Sequence, residues 1–361
     1  MSRGRELSME GTLLYSFGGR HTDVHFADET LAPAWDKFVE LQPGAYGYHR
    51  WAWGEIFQRD LKLKVYRLAA WREGDLVGIL PLVRQRLWPL PARLISLPFV
   101  NYAGVLARDR DAEDALLEAA VQLARQLRVT HIELRNTEPQ AVHWARREDK
   151  VRFVLDVSPG QEKLWASLPG PRRTQVRRAQ KDGLLAEVGG EELLDEFYRI
   201  LARKWRDHGT PILPAHFYAA IMRHFPAATR ICLVRSGTQA VAAGFLYRFG
   251  ARVENPWVAA LPEFSASRAN ILLYWAMIQE SCRWGAQSFD FGRSSGGGGP
   301  YEFKKRWDAQ EQFLPWSVWS TSRSGRPDDG FGADLLKRLW KRLPVGVANH
   351  FGPHVSRHLP L

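Results

Sequence analysis

The sequence predicts a mixed α/β protein built from two similar lobes, each a mostly antiparallel sheet flanked by helices, and three observations carry that expectation. A hairpin signal occurs twice, at residues 66–85 and 230–249. Each hairpin leads into a further strand, an apolar-faced helix and a short closing strand at similar spacing. Gly74 in the first turn lies 58 residues before Ile132, and Gly237 in the second lies 52 residues before Phe289. The chain of 361 residues also exceeds the roughly 250–300 at which one hydrophobic core stops growing.

In chain order, residues 1–20 form a disordered or strand-forming N-terminus. Leu13, Leu14, Tyr15 and Phe17 are followed at once by Gly-Gly-Arg-His, so the apolar stretch of a signal peptide is missing. The first lobe is expected over 21–158. Its hairpin turns at Glu73-Gly74-Asp75, with Val77, Ile79 and Leu82 as apolar positions. A strand at 99–104 follows, then a helix over 112–127 with Leu116, Leu117, Ala120, Leu123, Ala124 and Leu127 at helical spacing, then a strand at 131–135. Two prolines with Ser and Gly neighbours mark a boundary within 155–170.

The second lobe is expected over 159–322. Its hairpin turns at Ser236-Gly237-Thr238, and Ala243-Gly244-Phe245-Leu246 echoes Val77-Gly78-Ile79-Leu80. A strand at 254–258, a helix over 268–284 carrying Ile271, Leu272, Trp275, Ile278 and Cys282, and a strand at 288–292 complete the repeat. Residues 323–361 read as a linker and a basic amphipathic helix, where Leu335, Leu336, Leu339, Trp340 and Leu343 alternate with Lys337, Arg338, Lys341 and Arg342. That helix suits either an anionic membrane face or the protein's own core.

Charge and composition narrow the function. Of a net +11, five charges come from 171–181, which holds no acid, and four from residue 323 onward, which points to local anionic partners. Arg173, Arg177 and Lys181 fall at i, i+4 and i+8 of a helix with Arg178 on the adjoining flank, a stripe suited to phosphate or to acids elsewhere on the surface. No helix-turn-helix, zinc finger or RNP pattern accompanies the charge, so DNA is not an expected partner. Cys232 and Cys282 have neither disulfide nor metal spacing, and the 11 histidines form no zincin pair; no metal and a reducing, cytoplasmic compartment are expected. The longest apolar helix candidate, near 271–278, is less than half of the ~20 residues needed to span a bilayer. A Walker A loop and a Gly-x-Ser-x-Gly elbow are both missing.

The sharpest local signal is residues 289–307, where a buried strand ends in Asp290-Phe291-Gly292-Arg293, passes through four glycines and enters Tyr301-Glu302-Phe303-Lys304-Lys305-Arg306-Trp307. Glycines admit close approach of backbone to a ligand, so the segment reads as the rim of a cleft, with a plain surface loop as the alternative. Lys304 and Lys305 on a strand would face opposite ways, letting one of them enter the site. A lysine beside a reacting carbonyl stabilises the oxyanion of acyl transfer.

These residues, together with Asn101-Tyr102-Ala103-Gly104, the basic run 172–184, Asp207-His208-Gly209-Thr210-Pro211 and Pro256-Trp257, resemble FemAB-like proteins of the GNAT acyltransferase superfamily. The similarity is greatest to the branch associated with exosortase and PEP-CTERM systems, which carries a BioF2-like acetyltransferase domain, and it runs from about residue 20 to 361. The resemblance implies two tandem GNAT-like domains. It also implies an N-acyl or aminoacyl transferase acting on an amine of a cell-envelope or exopolysaccharide precursor, with aminoacyl-tRNA or acyl-CoA as donor and no other cofactor. Its functional lysine falls on Lys304 or Lys305, and Glu254 or Asp290 would relay the amine proton. Substrate contacts fall on Arg173, Arg177, Arg178, Lys181, Asn101, Tyr102, Trp257, Arg268, Asn270, Arg293 and Tyr301, with the cleft between the lobes. An anionic precursor is the expected partner, and a peripheral position at the inner membrane the expected location. In acetyl-CoA-using members a glycine-rich turn grips the pyrophosphate; here residues 264–270 contain no glycine. The tRNA-gripping coiled-coil insertion of some Fem ligases is not visible either. An acyl-CoA-dependent N-acetyltransferase of polysaccharide building blocks and a non-catalytic module holding an anionic glycolipid are the two rival readings.

Overall fold

A computed structural model describes residues 13–17, 22–86, 91–139, 144–321 and 333–359. The chain forms two compact units. Unit 1 holds the chain up to Arg147 together with a returning strand; unit 2 holds Glu148–Leu314 and the C-terminal helices.

Unit 1 runs β1 (Leu13–Phe17), β2 (Thr22–Phe26), α1 (Ala32–Leu41), α2 (Trp51–Arg59), β3 (Lys64–Arg72), β4 (Asp75–Gln85), β5 (Arg93–Ile95), β6 (Leu106–Ala107), α3 (Arg110–Gln126), β7 (His131–Leu134) and β8 (Ala145–Arg147). Unit 2 runs β9 (Lys150–Asp156), α4 (Gln161–Ser167), α5 (Gly170–Lys181), β10 (Leu184–Gly189), α6 (Leu194–His208), α7 (Ala215–His224), β11 (Thr229–Ser236), β12 (Gln239–Phe249), β13 (Arg252–Ala260), α8 (Ala269–Arg283), β14 (Ser288–Ser295), α9 (Gly299–Lys305) and β15 (Gln310–Phe313). The strand β16 (Trp316–Ser320) then returns to unit 1, and α10 (Ala333–Arg342) and α11 (Val345–Ser356) belong to unit 2.

The two sheets repeat one topology. In unit 1 the order is β1-β2-β3-β4-β5-β7-β16-β8, and in unit 2 it is β10-β11-β12-β13-β14-β9-β15. Each contains a hairpin, β3–β4 or β11–β12, and, among the described residues, one parallel pair bridged by a helix, β5–β7 across α3 or β13–β14 across α8. An antiparallel strand, β16 or β9, then pairs beyond it. The repeated glycines have one cause. A Cβ on Gly78 would come within 2.9 Å of Leu116 Cδ1 on α3, and one on Gly244 within 2.5 Å of Met277 Sδ on α8. Each crossover helix therefore lies directly on the second strand of its hairpin, and only glycine leaves room. Around α3 pack Leu68, Leu80, Leu116, Leu123, Ile132 and Leu134, and around α8 pack Val241, Leu246, Leu273, Met277, Ile278 and Phe289, all nearly fully buried. Burying each such aliphatic side chain stabilises by about 1.5–3 kcal/mol.

Three expectations are corrected. The division falls at 147/148 and not at 158/159, because β9 pairs with β14 and β15 and so belongs to the second sheet. Residues 99–104 are not a strand: Leu97 and Phe99 hold φ of 53° and 70°, a left-handed backbone that cannot continue a ladder, and β5 takes that place in the sheet. Lys304 and Lys305 end a helix rather than lying on a strand. The expected linker falls largely outside the described residues, and no helix among those described is long and apolar enough to cross a membrane.

Candidate active site

The site of unit 2 is made where the parallel pair β13–β14 separates. Their registered pairs are Arg252 with Ser288, Val253 with Phe289, and last Glu254 with Asp290. Beyond that point both strands bulge. On β14 the bulge centres on Gly292, whose φ of 72° favours glycine, and Asp290 Oδ1 accepts the Gly292 N–H at 2.8 Å. On β13 it falls at Asn255-Pro256, where the Asn255 amide donates to the carbonyls of Phe245 and Trp257 at 2.8 and 3.0 Å. Proline has no N–H to lose from the ladder, which suits it to this position. Registered neighbours share a face of the sheet, so two buried carboxylates stand side by side at the opening.

Helix α9 brings Lys304 to that point. Successive helical residues lie about 100° apart, so Lys304 turns inward and is 6% exposed while Lys305 stays outside, its Nζ 5.9 Å from the Tyr301 ring centre. Lys304 Nζ donates to Gly292 O at 2.7 Å and Arg293 O at 3.1 Å, closing the bulge. Burial lowers the ammonium to about 8, the Asp290 and Glu254 carboxylates oppose that shift, and the half-buried Arg293 adds to it. A second cation, Arg152 on β9, reaches Asp290 Oδ2 at 3.6 Å and donates to Gln312 Oε1 at 2.9 Å. Beneath lie Tyr274, Phe291, Phe303 and Trp307, with Tyr274 stacked on Phe291 at 5.3 Å between centroids.

Arg172 holds α9 in place and was not among the expected site residues. It is buried, donates to Phe303 O at 3.3 Å and Arg306 O at 3.2 Å, and lies 5.1 and 5.4 Å from the Phe303 and Trp307 ring centres. Burial and the neighbouring Arg306 lower its pKa. A signal was present: Arg172, Val176 and Ala179 share the one buried face of α5.

The other expected residues scatter. Arg177, Arg178 and Lys181 are exposed on α5 and Arg173 half-buried; Arg173 donates to Ala166 O, Arg177 sits over Trp165 and Arg178 pairs with Asp182 at 3.0 Å. Arg268 and Asn270 open α8, Arg268 with φ 63°. Tyr301 donates its hydroxyl to Glu311 at 2.8 Å. Trp257 is buried edge-on against Phe217, Tyr218 and Phe245, so it belongs to the core rather than to a binding surface. Asn101 and Tyr102 belong to unit 1, where Tyr102 lines a cavity of ≈ 170 Å³ with Tyr46, His49, Gly104, Arg135 and Asn136.

Two sheets, each with a parallel pair covered by a crossover helix, define a protein with tandem GNAT-like domains. Residues 171–305 match the family model described as acetyltransferase (GNAT) domain, a span that includes Arg172, Glu254, Asp290, Arg293 and Lys304. Among solved structures, the chain resembles the crystal structure of FemX, with TM-score 0.65 and 15% identity over 81% of this chain and 96% of that one. A tandem GNAT protein from the clavulanic acid biosynthesis pathway gives 0.54 and 12% over 86% and 100%, and L-PGS from Bacillus licheniformis gives 0.53 and 14% over 86% and 97%. At these identities the likeness is one of fold. No curated protein matches the sequence.

Proposed function

We propose that unit 2 transfers an acyl or aminoacyl group from an activated donor to an amine, with Glu254, Asp290 and Lys304 as its catalytic residues. The observation that carries this reading is the buried Lys304 ammonium beside a pair of buried carboxylates at the open end of a GNAT-like parallel pair. As the acceptor nitrogen bonds to the carbonyl carbon, its proton passes to Glu254 or Asp290, and the carbonyl oxygen gains the charge that a nearby ammonium stabilises. The tetrahedral species then collapses, the bond to the leaving group breaks, and that group takes up a proton. Lys304 fits this role because its two carbonyl partners leave one of its three N–H donors to be directed elsewhere.

The acceptor class that best fits is an amine on an anionic cell-envelope or exopolysaccharide precursor. The exposed cations Arg177, Arg178 and Lys181 on α5 supply phosphate contacts, and the resemblance to the exosortase-associated branch supplies the precursor class. The donor is an aminoacyl-tRNA or an acyl-CoA: the turn 264–270 has no glycine to grip a CoA pyrophosphate, and the tRNA-gripping coiled-coil insertion of some Fem ligases is not visible. Two measurements test this reading. Titration calorimetry with acetyl-CoA and, separately, with aminoacyl-tRNA assigns the donor, and micromolar acetyl-CoA binding would transfer the assignment to an acyl-CoA-dependent N-acetyltransferase. With the donor in hand, Glu254→Gln, Asp290→Asn and Lys304→Ala should each lower kcat by about 10²–10³, the loss typical of one oxyanion donor or proton acceptor. Unchanged turnover in all three would remove catalysis from this site.

A further inference from the structure

We infer that α10 and α11 form a docking surface for an anionic lipid bilayer. The two helices expose apolar side chains while being fixed to the protein by their backbones. α10 lies against α6 at Gly209, where a Cβ would come within 2.6 Å of Lys337 O, and Arg206 donates to Lys341 O at 3.3 Å. α11 buries only small residues, Ala348, Gly352 and Ser356, and a Cβ on Gly352 would reach Ile212 N at 3.2 Å. Contact through these positions leaves the larger apolar groups outside. Leu336 is 63% exposed, Leu339 52% and Phe351 52%, and Val347 is also exposed.

On α10 the apolar positions Leu336, Leu339 and Trp340 fall within an arc of about 100°, and Lys337, Arg338, Lys341 and Arg342 fill about 140° of the remainder. An amphipathic helix seated on its own core buries the apolar arc; here two leucines of that arc face solvent. Residues 333–359 carry five Lys or Arg against the single Asp334. Exposed leucine and phenylalanine flanked by cations match an interface of anionic headgroups over acyl chains, where the cations meet phosphate and the apolar side chains enter the boundary layer. A nucleic acid or acidic protein would use the charge and leave the leucines in water.

The test is flotation of the full chain with vesicles of phosphatidylcholine alone and of phosphatidylcholine mixed with phosphatidylglycerol. Binding is expected only to the mixed vesicles and should weaken with salt. Lys337→Ser with Lys341→Ser should lower the partition coefficient about 25-fold, since each cation near such a surface contributes about fivefold, equivalent to about 1 kcal/mol. Leu336→Ser with Leu339→Ser should lower it by a comparable factor without changing the melting temperature, because both side chains are already exposed; Phe351→Ser serves as an independent variant. Failure to float with the mixed vesicles overturns the inference. So does flotation that the lysine changes abolish and the leucine and phenylalanine changes leave intact, which would identify a purely electrostatic partner. None of these results depends on the transferase reading.

Discussion

Replacing Lys304 by Met, which keeps length and volume but removes the ammonium, tests the electrostatics of the site without any substrate. In the native state burial holds this group at about 8, whereas its ordinary value is 10.5. The unfolded chain therefore binds more protons than the native one between those two values, and stability rises with pH across that window. At about 1.4 kcal/mol per pH unit, the full effect is about 3 kcal/mol, most of it present by about pH 10. Below about pH 8 both states hold the proton and the contribution is constant. Urea denaturation of the wild type and Lys304→Met at a series of pH values from about 7 to about 10 isolates the lysine, because other titrating groups cancel in the difference. The wild type should gain about 2–3 kcal/mol relative to the variant over that range. A difference that stays flat would show that Lys304 keeps an ordinary pKa, and the site would lose the feature that distinguishes it from a surface lysine.

Three further outcomes follow from the same geometry. Arg172→Ala removes the two donors to the end of α9 and should lower the melting temperature while shifting the pH profile of Lys304 toward that of an exposed lysine; Arg172→Lys should not rescue it, because a single ammonium cannot reach both carbonyls while lying over two rings. Glu133→Gln in unit 1 should destabilise by about 3–5 kcal/mol in thermal or urea unfolding, since Arg135 is then left buried without its counter-charge. His131, buried on β7 and held at about 4 chiefly by burial and secondarily by Arg93, must fold neutral; stability should fall as pH drops from about 6.5 toward about 4, and this fall should shrink in His131→Gln.

Much of the fold was legible because periodicity and turn chemistry agree in both halves. The turns at Gly74 and Gly237, the apolar faces of α3 and α8 and the short strands β7 and β14 lie within a residue or a few of their expected places. What was not legible depends on partners remote in sequence. β9 joins β14 across more than a hundred residues, and nothing within β9 says which sheet receives it. Lys304 and Lys305 are indistinguishable in the sequence; the helical turn started by Gly299-Pro300 decides which one is buried. Arg172 was hidden among four neighbouring cations, although its place on the buried face of α5 separates it from Arg173 and Arg177. The aromatic Trp257 suggested a binding platform, yet a tryptophan on a central strand is as well used in a core, and there it is.

The repeated topology bears on why the proposal places the chemistry in unit 2 and not in unit 1. Aligning the parallel pairs sets Glu254 against Ile95, Asp290 against Glu133 and Gly292 against Arg135. In unit 1 the equivalent opening is filled: Glu133 accepts from Arg135 and from Arg147, each at 3.1 Å, Arg135 also donates to Val100 O at 2.6 Å, and Trp316 lies 4.7 Å from the Arg135 guanidinium. Both arginines there hold Glu133, and the position that corresponds to Gly292 carries an arginine. A buried ion network of this kind fixes structure and is costly to break, so it cannot also accept a proton from a passing amine. In unit 2 Gly292, with φ of 72°, turns its carbonyl to Lys304 of α9, and a second carboxylate replaces the isoleucine. Substituting Ile95→Glu and Arg135→Gly would therefore recreate the carboxylate pair in unit 1 but not the site, because among the described residues no helix delivers a lysine to that end of β7; introduced into Lys304→Ala, the two changes should lower stability and restore no transfer activity.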